Sequence, residues 1–285
     1  MKKAAVLGFP IKHSLSPKLH GYWLNQYGIE GSYEAIEVAP DSLMETFARL
    51  KREGYAGWNV TVPHKEHALL MVDEVDEIAR AIGAVNTVVV KDDKLVGYNT
   101  DAFGFLQNLV TSRTDNIPVP QQFEGKKGMV IGAGGASRAV IAALKSAGLS
   151  EIFITNRTQE KAEKLIDAFV VDKAGFTVIP WDEKDQALES IDYLINTTSL
   201  GMEGQPPLEI NLSALPKKAV VNDIVYKPLE TGLLKQAKTH GAQAVDGIGM
   251  LIWQAVPGFN AWFGKEPEVT LALKDYMVGL SQTEL

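Results

Sequence analysis

Residues 59–65 read N-V-T-V-P-H-K. The alternation predicts a short strand that puts Asn59 and Thr61, two positions apart, on one face. Pro63 cannot donate to a ladder and ends the strand, and Lys65 follows at once. Three other stretches in the first third join polar groups to backbone constraint: H-S-L-S-P at 13–17, G-A-V-N-T at 83–87 and G-Y-N-T-D at 97–101. They set Ser14 and Ser16 before Pro17, Asn86 at a strand entry and Asp101 at a helix entry. Each has a plain structural reading. Ser16 before Pro17 suits a helix N-cap, Asp101 suits another, and Lys65 suits an exposed loop. Taken together, hydroxyl, amide, ammonium and carboxylate groups suit a polyhydroxylated substrate. Reducing a ketone needs a hydride and a proton for the developing alkoxide. A lysine can supply that proton and a carboxylate can orient it.

A hydride source has its own signature. V-I-G-A-G-G-A-S-R-A-V at 130–140 sets Gly132 and Gly134 between a strand and a helix. Gly132 permits a tight turn, Gly134 lets a pyrophosphate approach the backbone, and the helix N-terminus favours the phosphates. Ser137 stands where the third glycine of the dinucleotide fingerprint belongs, and the strand-turn-helix context favours a nucleotide site over an incidental glycine cluster. An NAD site ends the next strand with an acid. Here that strand ends T-N-R-T at 155–158, with no carboxylate to repel a 2′-phosphate. Arg157 is placed to receive one, Asn156 and Thr158 can donate hydrogen bonds, and Lys161 adds a cation. NADP is therefore expected rather than NAD. Thr197, Ser199 and Gly201, in I-N-T-T-S-L-G-M at 195–202, follow another strand; they suit a cofactor lining or simply a hydroxyl-rich turn.

Strand-like runs alternate with helical patterns throughout the 285 residues, as in α/β proteins with mostly parallel sheets. Strands are expected at 4–9, 33–38, 57–62 and 87–93, then from 128, and at 151–156, 176–180, 193–198, 219–226 and 242–245. Helices are expected at 17–28, 41–54, 101–112, 249–264 and 268–280. The texture changes over 114–128, rich in Pro, Gln and Gly, which predicts a linker. The second block reads as a doubly wound nucleotide-binding domain.

Composition excludes several classes. A net charge of −7 and a pI near 5.3 argue against a broad basic face for nucleic acid. There is no cysteine, which removes disulfides, thiolate metal sites and thiol nucleophiles and fits the cytoplasm. The apolar run at 4–9 is too short for a secretory signal, and no stretch reaches the ~18 apolar residues of a membrane span. His64 and His67 stand three apart without supporting ligands, so no metal site is expected. No Tyr is followed four residues later by Lys, so the tyrosine–lysine pair of short-chain dehydrogenases is missing.

The motifs SLSP (14–17), NVTVPHK (59–65), GAVNT (83–87), NTD (99–101), GAGGASR (132–138), NRT (156–158), NTTSLGM (196–202), DIVY (223–226) and DGIGMLIWQA (246–255) occur in an order that closely resembles the shikimate dehydrogenase family. The resemblance runs nearly the length of the chain. It implies NADP-dependent interconversion of 3-dehydroshikimate and shikimate. It also implies a substrate domain built from 1–103 plus 248–285, with a Rossmann-type NADP domain at 104–247 inserted between. Ser14 and Ser16 would hold the substrate carboxylate, and Tyr226 would close that end. Asn59, Thr61, Asn86, Asp101 and Gln254 would contact ring hydroxyls or orient neighbours. Lys65 and Asp101 would be the catalytic pair. Gly132, Ala133, Gly134, Gly135, Ala136, Asn156, Arg157, Thr158, Ile224 and Gly247 would line the cofactor site, with Glu77 close by. A monomer or homodimer is expected. Rival readings are a quinate/shikimate dehydrogenase of broader cofactor use, a folate-linked methylene dehydrogenase, and an NADP-sensing module without turnover.

Overall fold

The structure is a computed structural model describing residues 1–112, 119–168 and 174–282. The chain forms two compact units, Met1–Gly104 with Leu251–Leu285, and Phe105–Met250.

The first unit is built on six strands: β1 (Lys2–Gly8), β2 (Gly31–Glu37), β3 (Gly57–Val60), β4 (Glu74–Val75), β5 (Thr87–Lys91) and β6 (Lys94–Tyr98). Their order is β2-β1-β3-β5-β6-β4. The β1 pairs with β2 and β3 are parallel, while β3–β5 and β5–β6 are antiparallel. The expected strand over 87–93 is instead one arm of a hairpin. Asp92 and Asp93 turn the chain at φ 49° and 61°, and β6 returns beside β5. Two positive φ values are the requirement of a tight hairpin turn, which Asn and Gly usually meet. Strand β3 stops at Val60, although Thr61 N still donates to Leu7 O at 2.8 Å.

The expected helix over 249–264 is two helices, Ile248–Trp253 and Ala255–Phe263. The second packs on β5, β1 and β3. Trp262 is buried there, and its Nε1–H donates to Val88 O at 3.0 Å. Gly57 makes that approach possible, because a Cβ at 57 would lie 2.1 Å from Val88 O and 2.3 Å from Trp262 Nε1. Removing a buried tryptophan of this kind costs about 3–5 kcal/mol.

The second unit holds β7 (Lys127–Ile131), β8 (Glu151–Thr155), β9 (Phe176–Ile179), β10 (Tyr193–Asn196), β11 (Val220–Asp223) and β12 (Gln243–Val245). All pairs are parallel, in the order β12-β11-β10-β7-β8-β9. This is the doubly wound arrangement, with strand order reversing between β7 and β10, where such sheets bind ligands beyond their carboxyl ends. Of the expected linker 114–128, residues 114–118 lie outside the described residues. Val119–Phe123 is helical and β7 begins at Lys127, so the rest of that segment is regular structure. No helix among the described residues is long and apolar enough to cross a membrane.

Candidate active site

In the first unit the end of β3 delivers Lys65 as the first residue of a short helix, Lys65–Leu69. The preceding His64 is buried, and its Nε2 lies 2.7 Å from Val38 O, so this nitrogen carries the proton and donates. Lys65 O accepts from Val85 N at 2.9 Å, which ties the lysine to the strand entry that carries Asn86. Asp101 opens the helix Asp101–Thr111. Its carboxylate does not cap that helix, contrary to the structural expectation. The Asn99 side chain accepts from Asp101 N at 3.1 Å, and the Asp101 oxygens are turned elsewhere.

Lys65 Nζ donates to Asp101 Oδ2 at 2.5 Å, across 36 positions of sequence. The two side chains are only 19 % and 10 % exposed. A largely desolvated pair adds little net stability, but loss of one partner strands the other charge. Asp101 Oδ1 accepts from Asn86 Nδ2 at 2.9 Å. The Asn86 amide is orientated by Thr100, whose N–H donates to Asn86 Oδ1 at 2.8 Å, with Thr87 Oγ1 bonded to the same oxygen at 3.1 Å.

Asn59 lies beneath this group and is buried. Its Oδ1 accepts from Tyr33 Oη at 2.6 Å, and its Nδ2 donates to Asn86 O at 3.1 Å and Thr87 Oγ1 at 3.0 Å. Both amide hydrogens are thus committed to the protein, so Asn59 orients neighbours. Ser16 is not an N-cap. The helix Ser16–Gln26 begins at Ser16, with Leu15 in the cap position and no side-chain cap. Ser14 Oγ accepts from Ser16 N at 3.3 Å, and Ser16 is buried beside Tyr33. Thr61 is half-buried. Gln254 Nε2 donates to Leu251 O at 3.0 Å. Glu77 is exposed at the start of the helix Glu77–Ile82, whose cap is Asp76.

In the second unit a recess of about 280 Å³ is lined by Gly132, Ala133, Gly134, Asn156, Arg157, Thr158, Lys161, Trp181 and the run Thr197–Leu200. Gly132 sits at φ 116°, and a Cβ there would lie 2.6 Å from Thr197 Oγ1. A Cβ at Gly134 would meet nothing within 4 Å, so its bare backbone borders open space. The Ser137 hydroxyl accepts from Gly134 N at 3.1 Å and bonds Thr197 Oγ1 at 2.7 Å, and Thr197 donates on to Ile131 O at 2.7 Å. Ser137 therefore cross-links the glycine turn to the end of β10 where a third glycine would only have made room. Asn156 Nδ2 donates to Thr158 O at 2.8 Å and shapes the turn that holds Arg157. Among the described residues, two cations and no carboxylate line the recess, and a bare glycine backbone forms its floor. These residues fit NADP.

The structure does not bring every expected cofactor residue to this recess. Gly135 and Ala136 lie in the helix Gly135–Ser146. Gly247 packs against Ile224, whose carbonyl oxygen would stand 2.2 Å from a Cβ at 247. Tyr226 is half-buried, and burial raises its pKa. Trp181, Thr198 and Leu200 line the recess without having been singled out in the sequence. Under the β10 and β11 ends, Asp223 is wholly buried. Its carboxylate accepts from Asn196 Nδ2 at 2.9 Å, Val225 N at 3.1 Å and Thr231 Oγ1 at 2.7 Å. Burial pushes its pKa up to about 6, and these hydrogen bonds oppose the rise. Among the described residues no group of three or more His, Asp or Glu side chains is placed to hold a metal ion.

A mixed-sheet unit carrying a lysine–carboxylate pair, joined in one chain to a doubly wound unit with a glycine-lined recess that holds Arg157 and Lys161, defines a two-domain nucleotide-dependent oxidoreductase. Three family models match: the shikimate dehydrogenase substrate binding domain at residues 6–88, shikimate / quinate 5-dehydrogenase at 116–202, and the shikimate 5′-dehydrogenase C-terminal domain at 247–274. The shikimate dehydrogenase (NADP(+)) of Paramagnetospirillum magneticum is 50 % identical over 277 residues, covering 96 % of this chain and 97 % of its own. The crystal structure of shikimate dehydrogenase from Aquifex aeolicus superposes with a TM-score of 0.85 at 39 % identity, covering 98 % of this chain and 97 % of that one. That of Thermus thermophilus shikimate 5-dehydrogenase, solved with NADP(H) and shikimate, gives 0.83 at 36 % identity, covering 99 % of each chain. The chain belongs to the shikimate dehydrogenase family.

Proposed function

We infer that this chain catalyses the NADP-dependent interconversion of 3-dehydroshikimate and shikimate, with Lys65 and Asp101 handling the proton. The observation that carries the residue roles is the 2.5 Å contact of Lys65 Nζ with Asp101 Oδ2, backed by Asn86. Bound NADPH supplies the hydride. Lys65, as the ammonium, gives a proton to the oxygen of the ketone as it becomes an alkoxide. In the reverse direction the lysine takes the proton back. Asp101 fixes the ammonium and keeps one carboxylate edge for a neighbouring substrate hydroxyl. Ser14 and Ser16 offer neutral donors to the substrate carboxylate, which avoids burying an unpaired cation. Asn86, Thr61 and Gln254 serve the ring hydroxyls, and Asn59 holds Asn86 in place from below. Tyr226 serves the carboxylate end. In the other unit Arg157 and Lys161 receive the 2′-phosphate, while Gly132, Ala133 and Gly134 receive the pyrophosphate. Ser199, Ile224, Gly247 and Glu77 complete the set of residues assigned to the cofactor. A cysteine-free chain that draws on NADPH suits the cytoplasm, as a monomer or homodimer.

The rival of broader use is favoured by the 28 % identity to the quinate dehydrogenase of Corynebacterium glutamicum, solved with NAD, at a TM-score of 0.86. The absence of an acid at 156–158 speaks against it. The test follows NADPH absorbance with shikimate plus NADP, then with quinate and with NAD. Turnover with shikimate and NADP at a kcat/KM at least about tenfold above either alternative supports the assignment. Equal values overturn its specificity, and no turnover with shikimate overturns the assignment itself.

A further inference from the structure

We propose that Trp181 is a binding residue of the NADP site and forms the surface on which the adenine ring stacks. The inference rests on the recess of the second unit being that site. NADP presents two kinds of surface to a protein: anionic phosphate and hydroxylated ribose on one hand, and a flat aromatic base on the other. Most of the recess suits the first kind, being glycine backbone, hydroxyls, amides and two cations. Among the described residues, Trp181 is the one aromatic side chain that lines it. An indole face carries a negative quadrupole, which attracts no phosphate but stacks well with a purine.

Strand register places the ring where a base would lie. Strands β8 and β9 are adjacent and parallel, with Thr155 opposite Ile179. Arg157 stands two residues past Thr155, and Trp181 two residues past Ile179. The guanidinium chosen for the 2′-phosphate and the indole thus leave neighbouring strands at the same level. Adenine and the 2′-phosphate are carried on one ribose, so a site that grips the phosphate with Arg157 needs its base-binding surface within that reach.

The ring is held ready. The ammonium of Lys184 sits 4.9 Å from the ring centroid, and Lys184 is itself only 8 % exposed. The indole also packs against the apolar cluster around Leu188 and Leu194. The ring is therefore held by Lys184 and the apolar cluster while it also lines the recess. A side chain already locked loses little freedom when the base arrives.

The test uses the full chain and 2′,5′-ADP, which carries the base and the 2′-phosphate but no nicotinamide. Calorimetry of Trp181→Leu is expected to show binding weakened about ten- to a hundredfold. Trp181→Phe, which keeps an aromatic face, is expected to recover to within about threefold of the parent. Independently, 2′,5′-ADP should quench tryptophan emission of the parent, and Trp181→Phe should lose that quench while four tryptophans of the original five remain. Unchanged affinity in Trp181→Leu, or an equal quench in Trp181→Phe, overturns the proposal. The quench decides the matter should Trp181→Leu not fold. Absence of 2′,5′-ADP binding by the parent would instead overturn the placement of NADP in this recess.

Discussion

The backbone N–H of Thr100 donates to Asn86 Oδ1 at 2.8 Å and thereby fixes which way the amide faces. A backbone N–H can only donate, so Oδ1 must point at it and Nδ2 must point away. Asp101 Oδ1 then receives a donor at 2.9 Å. Replacing Asn86 with Asp keeps the size but sets a second carboxylate against Asp101 in a buried place. Asn86→Asp should lower kcat/KM at least about a hundredfold, and Asn86→Ala should lower stability by about 2 kcal/mol or more through the donors and acceptors left unpaired. Steady-state kinetics and thermal unfolding check these two outcomes separately.

The lysine makes a sharper claim. General acid catalysis is worth about 10² to 10⁴ in rate. Lys65→Ala should cut kcat at least about a hundredfold and leave KM for shikimate within severalfold. Such a variant leaves Asp101 paired with Asn86 alone. A near-normal kcat would remove Lys65 from the proton transfer, while a large rise in KM at constant kcat would make it a binding group.

The sequence makes some of this arrangement plain and hides the rest for physical reasons. Gly132 to Arg138 is a local signal, because a turn, a bare backbone and a helix start are all encoded within a few residues. The spacing of Asn59, Thr61 and Lys65 is local too. Tyr33, Thr87 and Thr100 escape notice because their part is tertiary: each orients an amide contributed by another element. Trp181 sits after a strand in no recognisable motif, and only the β8–β9 register sets it beside Arg157. The Asp92–Asp93 turn is hidden because aspartates meet a backbone demand that usually announces itself as Asn-Gly. Ser16 and Asp101 both carry good capping chemistry, and only the structure shows that neither side chain caps its helix.

Cofactor choice should follow Arg157. It lines the recess with Lys161, and no carboxylate among the described residues does so. A charge-assisted hydrogen bond contributes about 1.5–3 kcal/mol. Arg157→Ala should therefore raise Kd for NADP about ten- to a hundredfold. Its Kd for NAD, which lacks the 2′-phosphate, should change less than about threefold. Calorimetry with both nucleotides distinguishes the outcomes, and an equal loss for the two would assign Arg157 to the adenosine rather than the phosphate.

Two buried groups should make stability depend on pH in opposite senses. In the first unit His20 is fully buried among Tyr33, Trp23, Phe259 and Trp262, stacked on Tyr33 at 3.8 Å, with neither ring nitrogen partnered. Burial lowers its pKa from 6.5 to about 3. Between those values the unfolded chain binds a proton that the folded one refuses, so stability is lost as pH falls from 6.5 toward 3. In the second unit burial raises Asp223 from 3.8 to about 6. Here the folded chain holds the extra proton, so stability is lost as pH rises from 3.8 to 6 and stays reduced above. The Asp223 cost is about 3 kcal/mol at neutral pH. Asp223→Asn imitates the protonated form and can still accept from Asn196 and Val225. It should remove that slope and melt no lower than the parent at about pH 8. His20→Phe keeps the stack on Tyr33, removes two unpaired polar atoms, and should abolish the loss on acidification below pH 6.5. Unfolding midpoints of the parent and both variants, taken from about pH 4 to 8, measure each slope by difference. An Asp223→Asn curve parallel to the parent's would mean that the carboxylate is ionised throughout that range, with its three donors outweighing its burial.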